Sequence, residues 1–482
     1  MSTPPPEGPT YAELWAEFQA QRQLLQQQQT LIAELQEQVR ELTARLNQNS
    51  ANSSRPPSSD PPGVRRPKKA ATGRKRGGQP GHPGTTRCAF PPERVAQRVE
   101  HFPDACGHCG SVLAAPPDAA GAVTPRCHQV VELPPLRPLV TEHRLHRGAC
   151  AVCGKHPWAT LPVGVSPRVA GPRLPAVIAL LSGACRRSRR TVQVLLADLS
   201  EGRLSLGTLC AVEADIARAL DAPYQEVAAA VARAPTAHVD ETGWREGGQR
   251  CWIWTATAGK LALFRLDRRN PEACAALLTE AGKHPQVTAT VISDRYGAYA
   301  HLPLSQRSLC WAHLARDFRG LAESAGASGA VGRWALEVLG KLFREWRRFG
   351  RGEVDRRGRA AAVAPLQEQC RTRLRWGEES GCRKGKALCR DLLKHWEALW
   401  TWVSQAGVEP TNNAAERALR PAVLWRKSSF GHQSASGKAF VERWLTAVTS
   451  LRLQHRDVWS YLEAASRAHL AGSTPPSLLP SP

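Results

Sequence analysis

The chain is short of acid and of long apolar runs, and each shortage narrows what it can be. Its 482 residues carry 65 Lys and Arg against 42 Asp and Glu, a formal net charge of +23. That excess points to a polyanionic partner. The longest apolar run, around Leu174 to Cys185, is about a dozen residues, well below the ~20 that a membrane helix needs. No membrane association is expected. The first residues, Met1 to Glu7, are Pro-rich and end in an acid, where a secretory signal would place a basic stretch and an apolar core. The expected location is the cytoplasm, in association with the nucleoid. Fourteen cysteines in a reducing compartment read as metal ligands or buried thiols rather than disulfides. With 42% hydrophobic residues the chain is not disordered as a whole, and at roughly 100 to 200 residues per domain it holds about two to four domains.

From Tyr11 the apolar residues fall on a seven-residue grid: Tyr11, Phe18, Leu25, Ile32, Val39 and Leu46 at one position, Leu14, Leu35 and Leu42 at the other. This predicts a coiled-coil helix over residues 11–48 and a homo-oligomer built through it. The plainer alternative is an amphipathic helix packed on its own protein. A Pro/Gly/Ser-rich linker follows over residues 49–100, with seven Lys/Arg and no acid between Arg65 and Arg76. Such a charge density suits a DNA-contacting arm as well as a solvated tail.

Cys106-Gly-His-Cys109 and Cys150-Ala-Val-Cys153 are two Cys-x-x-Cys turns. Two such turns complete a four-thiolate, structural Zn2+ site. A zinc-binding domain is predicted over residues 101–160, with the Val/Leu-rich pieces at Val130 to Leu133 and Leu139 to His143 as a small β-ribbon. His108, Cys127 and His128 are available as substitute ligands. Residues 170–235 turn helical: Leu174 to Leu181, then Arg186, Arg187, Arg189 and Arg190, then Val192 to Leu199, a break at Gly202, and a long run from Leu206 to Ala232. The pattern predicts a helix-turn-helix-like DNA-binding module carrying the four arginines; the alternative is a helical connector.

After Pro235, Thr236 to Asp240 reads as a strand ending in an acid. Cys251 to Ala258 and Leu261 to Leu266 read as a hairpin, Pro271 to Ala281 as a helix, and Val287 to Ser293 as a buried strand ending at Asp294. Three strands, a helix and a fourth strand open a ribonuclease H-like fold, which sets the ends of the first and fourth strands side by side. The third acid is Glu416, just inside a helix that Thr411 or Asn412 can cap. Singly, each acid has a structural reading as a turn residue or a partner of Arg420. Together, Asp240, Asp294 and Glu416 suit a pair of Mg2+ ions, or Mn2+, for in-line phosphoryl transfer. The stretch from Asp294 to Glu416 is longer than that fold needs, so a basic, Trp-rich helical insertion is predicted at about 325–405, lining the DNA path. Arg420, Arg426 and Lys427 put positive charge where phosphates would sit. Lys438 to Ala471 closes the catalytic domain of residues 236–471 as helix, and residues 472–482 read as a disordered tail. The fold class is a multidomain α+β protein: a ribonuclease H-like α/β core with its insertion, a coiled coil, a zinc ribbon and a helical DNA-binding module.

The order of these pieces resembles the large transposase of the insertion sequence 66 family over nearly the whole chain. The resemblance rests on Asn49 to Asp60, Gly77-Gly-Gln-Pro-Gly-His-Pro-Gly84, the paired Cys motifs, Asp240-Glu-Thr242, Ser293-Asp-Arg-Tyr-Gly-Ala-Tyr299, Cys310-Trp-Ala-His313 and Asn412 to Pro421 with Arg426-Lys427 beyond. It implies an acidic-triad transposase that cuts at the ends of a mobile element and joins the freed 3′ ends to target DNA, with small accessory transposition proteins as further partners. A zinc-containing DNA-binding regulator without catalysis and a nuclease that cleaves without joining are the competing readings.

Overall fold

The computed structural model describes residues 10–46, 81, 89–113, 127–200, 202–280, 286–324 and 326–480. The basic run of residues 65–76 and most of the expected linker lie outside the described residues. The chain separates into two compact units, one of residues 1–65, 141–195 and 203–482, the other of residues 66–140 and 196–202.

In the larger unit, Tyr11–Leu46 forms one helix, α1, about 54 Å long at 1.5 Å per residue. Leu25, Ile32, Leu35, Val39 and Leu42 on its seam are all at least half exposed, so the helix does not bury that face on its own protein. The next helices are α2 (Arg173–Ala179), continued by a wide π-helical turn to Ala184, then α3 (Arg189–Ser200), α4 (Leu206–Ala219) and α5 (Asp221–Ala232). The run predicted as one helix from Leu206 to Ala232 breaks at Leu220, which closes α4 and opens α5. Ala176, Ile216, Val227 and Val231 join the same buried cluster as the sheet that follows. The apolar faces of α2, α4 and α5 therefore share one core with the sheet.

The sheet contains β1 (Thr236–Glu246), β2 (Gln249–Ala258), β3 (Leu261–Asp267), β4 (Thr290–Ser293) and β5 (Arg307–Leu309) in the order β3-β2-β1-β4-β5. β1 runs antiparallel to β2, as β2 does to β3, and parallel to β4, as β4 does to β5. The first strand is longer than its sequence predicts. It runs six residues past Asp240 because Gly247 and Gly248, both at positive φ, make the two-residue turn that a tight hairpin requires, and β2 pairs with it throughout. α6 (Pro271–Leu278) is capped by the Asn270 side chain.

The exposed edge of β3 is closed by side chains. Glu442, Thr446 and Ser450, one helical turn apart on α13 (Ala435–Leu453), accept from the backbone N–H groups of Leu266 (2.7 Å), Phe264 (2.9 Å) and Ala262 (3.0 Å). An edge so covered offers no free ladder to another strand.

After β5 come α7 (Trp311–Ala322), then the insertion: α8 (Gly326–Gly350), α9 (Arg356–Ser380), α10 (Arg383–Lys394) and α11 (Trp396–Ser404). It has its own core with Trp311, Leu339, Leu374, Trp400 and Trp402. Part of its basic composition is structural. Arg359 is 2% exposed, ringed by Trp346, Phe349 and Trp402, and donates to the carbonyls of Trp402 (3.0 Å) and Val403 (3.1 Å). α12 (Asn413–Ser428), α13 and α14 (Val458–Ala471) end the fold. The tail predicted as disordered is docked over its described residues. Leu478 is 1% exposed, the Glu226 carboxylate accepts from Ser477 Oγ (2.6 Å) and the Leu478 N–H (3.0 Å), and Tyr461 donates to the Pro476 carbonyl (2.6 Å). A groove beside α5 and α14 takes up what composition alone reads as loose chain.

In the smaller unit the Gln129 amide holds both backbone polar groups of Phe90, at 2.7 and 3.0 Å. The expected β-ribbon is not there: Val130 to Val140 is exposed and forms no ladder. Pro134, Pro135 and Pro138 remove the N–H groups a ladder would use.

Candidate active site

β1 and β4 pair in the register Thr236↔Thr290, Ala237↔Val291, His238↔Ile292. Two residues further on, the same register sets Asp240 opposite Asp294, and the two-residue period of a strand puts both on the face of His238 and Ile292. Each is locked by a backbone N–H close by in sequence: that of Glu241 to Asp240 Oδ1 (2.9 Å) and that of Tyr296 to Asp294 Oδ1 (2.9 Å).

Glu416 reaches this end of the sheet through a circuit of hydrogen bonds. The Cys310 N–H donates to the Ser293 carbonyl (2.9 Å), the Trp311 N–H to that of Pro410 (2.9 Å), and the Asn412 N–H to Cys310 Sγ (3.1 Å). Asn412, 1% exposed, then donates through Nδ2 to the Val239 carbonyl (2.7 Å). Its side chain ties α12 to β1 rather than capping the helix as the sequence suggests. The Glu416 N–H makes the first turn's bond to the Asn412 carbonyl (3.1 Å).

The charges couple. Burial first, then the charges of Glu241, Asp294 and Glu416, hold the Asp240 carboxyl well above the usual carboxylate range. Burial pushes His238 down to about 4. His313 is lowered by burial and by Arg316, against the pull of Asp294 and Glu416. Glu416 Oε1 lies 3.6 Å from His313 Nδ1 and 3.7 Å from the Arg316 guanidinium, and this buried oxygen has no hydrogen-bond partner among the described residues. An oxygen-rich, partly desolvated cluster with a carboxylate oxygen lacking a hydrogen bond has the donors that could hold a cation.

Glu241 was not singled out from the sequence, although its place beside Asp240 sends it to the opposite face of β1. There it accepts from Arg269 (2.7 Å) and from Tyr299 (2.6 Å). Arg269 in turn lies over Tyr296, 3.5 Å from the ring centroid, and over Trp252 at 4.2 Å. Burial pushes Glu241 up, and these two donors pull it back. Arg295 turns away from the acids to bind Asp317 (2.6 Å) and Asp391, joining β4 to α7 and α10. His432, without a role in the sequence reading, is structural. It is 5% exposed, accepts from Trp244 Nε1 (3.1 Å) and exchanges backbone bonds with Arg245 and Gly247. Gly431 permits that approach: a Cβ there would stand 2.0 Å from the Arg245 carbonyl oxygen.

The arginines proposed to meet DNA divide. Arg187 and Arg190 are exposed, as are Arg420 and Lys427. Arg189 pairs with buried Glu213 (2.6 Å), and Arg186 is half-buried at φ 55. Arg426 donates to the Gly243 carbonyl (3.0 Å). The two Cys-x-x-Cys turns are alike, each within its own unit. Gly110 N–H donates to the Cys106 carbonyl and Gly154 N–H to that of Cys150, both at 2.9 Å, with both glycines at positive φ. Hydrogen bonds from Ser111 lower the Cys109 thiol, and backbone N–H groups of Cys153 and Val152 lower that of Cys150, as a thiolate ligand needs.

Fold and acids together define a mixed α/β protein with a carboxylate cluster just past the point where the parallel pairing of β1 and β4 ends. The family model described as "Transposase IS66 family" matches residues 185–439, more than half of the sequence, and the chain belongs to this family of transposases. Residues 3–88 match a family of unknown function (DUF6444). An uncharacterized protein, y4qI, of Sinorhizobium fredii (strain NBRC 101917 / NGR234) is 31% identical over 174 residues, 33% of this chain and 31% of that relative. The match thus spans about a third of the relative's length. No solved structure matches, and among the described residues no helix is long and apolar enough to cross a membrane.

Proposed function

We propose that the chain cuts DNA at the ends of its element and joins the freed 3′ ends to target DNA, with Asp240, Asp294 and Glu416 holding Mg2+ or Mn2+. The observation that carries this reading is the coupling of Asp240 to both other acids across β1, β4 and α12. The strand order and the mix of parallel and antiparallel neighbours support a ribonuclease H-like core. The all-oxygen donors of the three acids suit a hard divalent ion. Bound there, a pair of such ions would activate water or a 3′-hydroxyl and stabilise the leaving oxygen. The chain's own part is positional. Asn412 fixes α12 on β1, Glu241 and Arg269 brace β1 from behind, and Arg316 keeps positive charge beside Glu416. Exposed Arg187, Arg190, Arg420 and Lys427 would meet phosphates. The exposed seam of α1 supports oligomerisation by coiled coil, and the two glycine-closed turns support structural Zn2+ on their thiol pairs. Small accessory proteins remain part of the proposal through the family alone.

The test is Mg2+-dependent nicking of a supercoiled plasmid carrying the element's ends. Glu416→Gln should abolish nicking and keep DNA binding. Metal-independent binding with no nicking by the wild type would make the chain a regulator; nicking without strand-joined products from precut ends would make it a nuclease.

A further inference from the structure

We propose that Cys310, His313 and Glu416 form a second cation site, selective for a thiophilic ion such as Zn2+, whose occupation draws Glu416 away from the two aspartates. One ligand atom from each of the three residues lies within 4.8 Å of the other two. Their positions are built. Cys310 is the residue between β5 and α7, 1% exposed; His313 is one turn into α7; Glu416 is one turn into α12. Two of the atoms want a partner: His313 Nδ1 and Glu416 Oε1 are both buried without a hydrogen bond, 3.6 Å apart. The Arg316 guanidinium, 3.7 Å from the same oxygen, already supplies a positive charge there.

The donor set decides the ion. One sulfur, one imidazole nitrogen and one carboxylate oxygen match Zn2+, whereas Mg2+ takes oxygen alone. Bonds of about 2.0 to 2.3 Å put tetrahedral ligands roughly 3.3 to 3.8 Å apart; the His313–Glu416 pair at 3.6 Å already has that spacing, and the cysteine joins it by a shift of no more than about 1 Å. Three protein ligands leave a fourth position open to water. Turning Glu416 onto this site carries its carboxylate away from the aspartates. The claim of competition rests on the reading of Glu416 as a Mg2+ or Mn2+ ligand; the claim of a Zn2+ site does not.

The experiment uses the full chain. Zn2+ is titrated in competition with a chromophoric chelator into wild type, Cys310→Ser and His313→Ala, with melting curves to show that each is folded. The wild type should bind one Zn2+ more than either variant, or bind its last Zn2+ more than about 100-fold tighter, since losing a direct ligand exceeds the 10- to 100-fold effect of an outer partner. Co2+ in place of Zn2+ should show a thiolate-to-metal band in the wild type that is reduced in Cys310→Ser, a readout that a packing defect would not produce. In a parallel titration followed by the signal of free Mn2+, Zn2+ should release Mn2+ from the wild type at a lower concentration than from Cys310→Ser, where it competes only directly for the carboxylates. Equal zinc stoichiometry and affinity in all three chains would overturn the site, and unchanged Mn2+ binding as Zn2+ fills it would overturn the competition. A wild type that never nicks DNA would sink the transposase reading and leave both binding results standing.

Discussion

Asn412→Ala separates the positioning of Glu416 from the presence of its charge. β1 pairs with β4 only as far as His238, and the carbonyl of the next residue, Val239, is taken by Asn412 Nδ2 at 2.7 Å. Val239 is fully buried, so water cannot replace the amide. The orphaned carbonyl costs about 1–3 kcal/mol, and the space left by the side chain adds about 1 kcal/mol. The loss of about 2–4 kcal/mol should lower Tm by roughly 4–16 °C for a domain of this size. Stability is the smaller effect. Released from β1, the first turn of α12 carries Glu416 with it, and a displacement of about 1 Å in a reacting geometry costs about 100-fold in rate. Asn412→Asp should be worse: when ionised it cannot donate, and it sets a further negative charge beside Asp240. The assay is Mg2+-dependent nicking at 25 °C at saturating DNA, beside a mobility-shift measurement expected to be unchanged. A variant that melts early yet nicks within threefold of wild type would refute the idea that this bond sets the third acid's place.

Three other outcomes are expected. Because the Asp240 carboxyl is raised in the folded chain, the native state binds more protons than the unfolded one between the usual Asp value near 3.9 and the raised value. Without divalent metal this group's contribution therefore falls as pH rises through that window. Asp240→Asn should flatten the dependence and raise Tm at pH 7 in EDTA, so identical pH slopes for the two chains would contradict the assigned cause. Thr446→Val is nearly isosteric and leaves the buried Phe264 N–H unsatisfied; urea unfolding should show a loss of about 1–3 kcal/mol, and no loss would mean that the β3 edge is satisfied otherwise. Ending the chain at Gly472 removes buried Leu478 and the partners of Glu226 and Tyr461. Burial of one leucine is worth about 1.5–3 kcal/mol, so the truncated protein should unfold at lower denaturant, and an unchanged midpoint would mean that the tail is not docked in solution.

What could be read from sequence followed local pattern. β2 and β3 carry dense runs of Trp, Ile, Leu and Phe with a Gly between them, and the helices of the insertion show steady spacing of Trp and Leu. The second half of β1 could not be read, because Thr242-Gly-Trp-Arg-Glu246 has the glycine and charges of a loop and becomes strand only when β2 pairs with it. The β-ribbon expected near Val130 and Leu139 failed for the opposite reason: β-branched residues suggested strands, and three prolines took away the hydrogen bonds. The docked tail depends on Glu226, some 250 residues earlier, which no local composition can signal.

At the site the same division holds, with a sharper cause. Asp240 and Asp294 stand at recognisable points because a run of buried residues that stops at an acid is visible in one dimension, and parallel register then carries the two together. The atoms that hold Glu416 in place are mostly backbone: the carbonyls of Val239, Ser293 and Pro410 and the N–H groups of Cys310, Trp311 and Asn412. Backbone groups are the same at every position, so sequence cannot say which of them meet. What it can show is a residue with no local use. Asn412 sits where a helix cap belongs, yet its amide leaves the helix to satisfy a strand, and Cys310 accepts a backbone N–H while facing His313 and Glu416. A polar side chain spent on distant backbone, next to a carboxylate oxygen left without a hydrogen bond, is the arrangement that the proposed cation would complete.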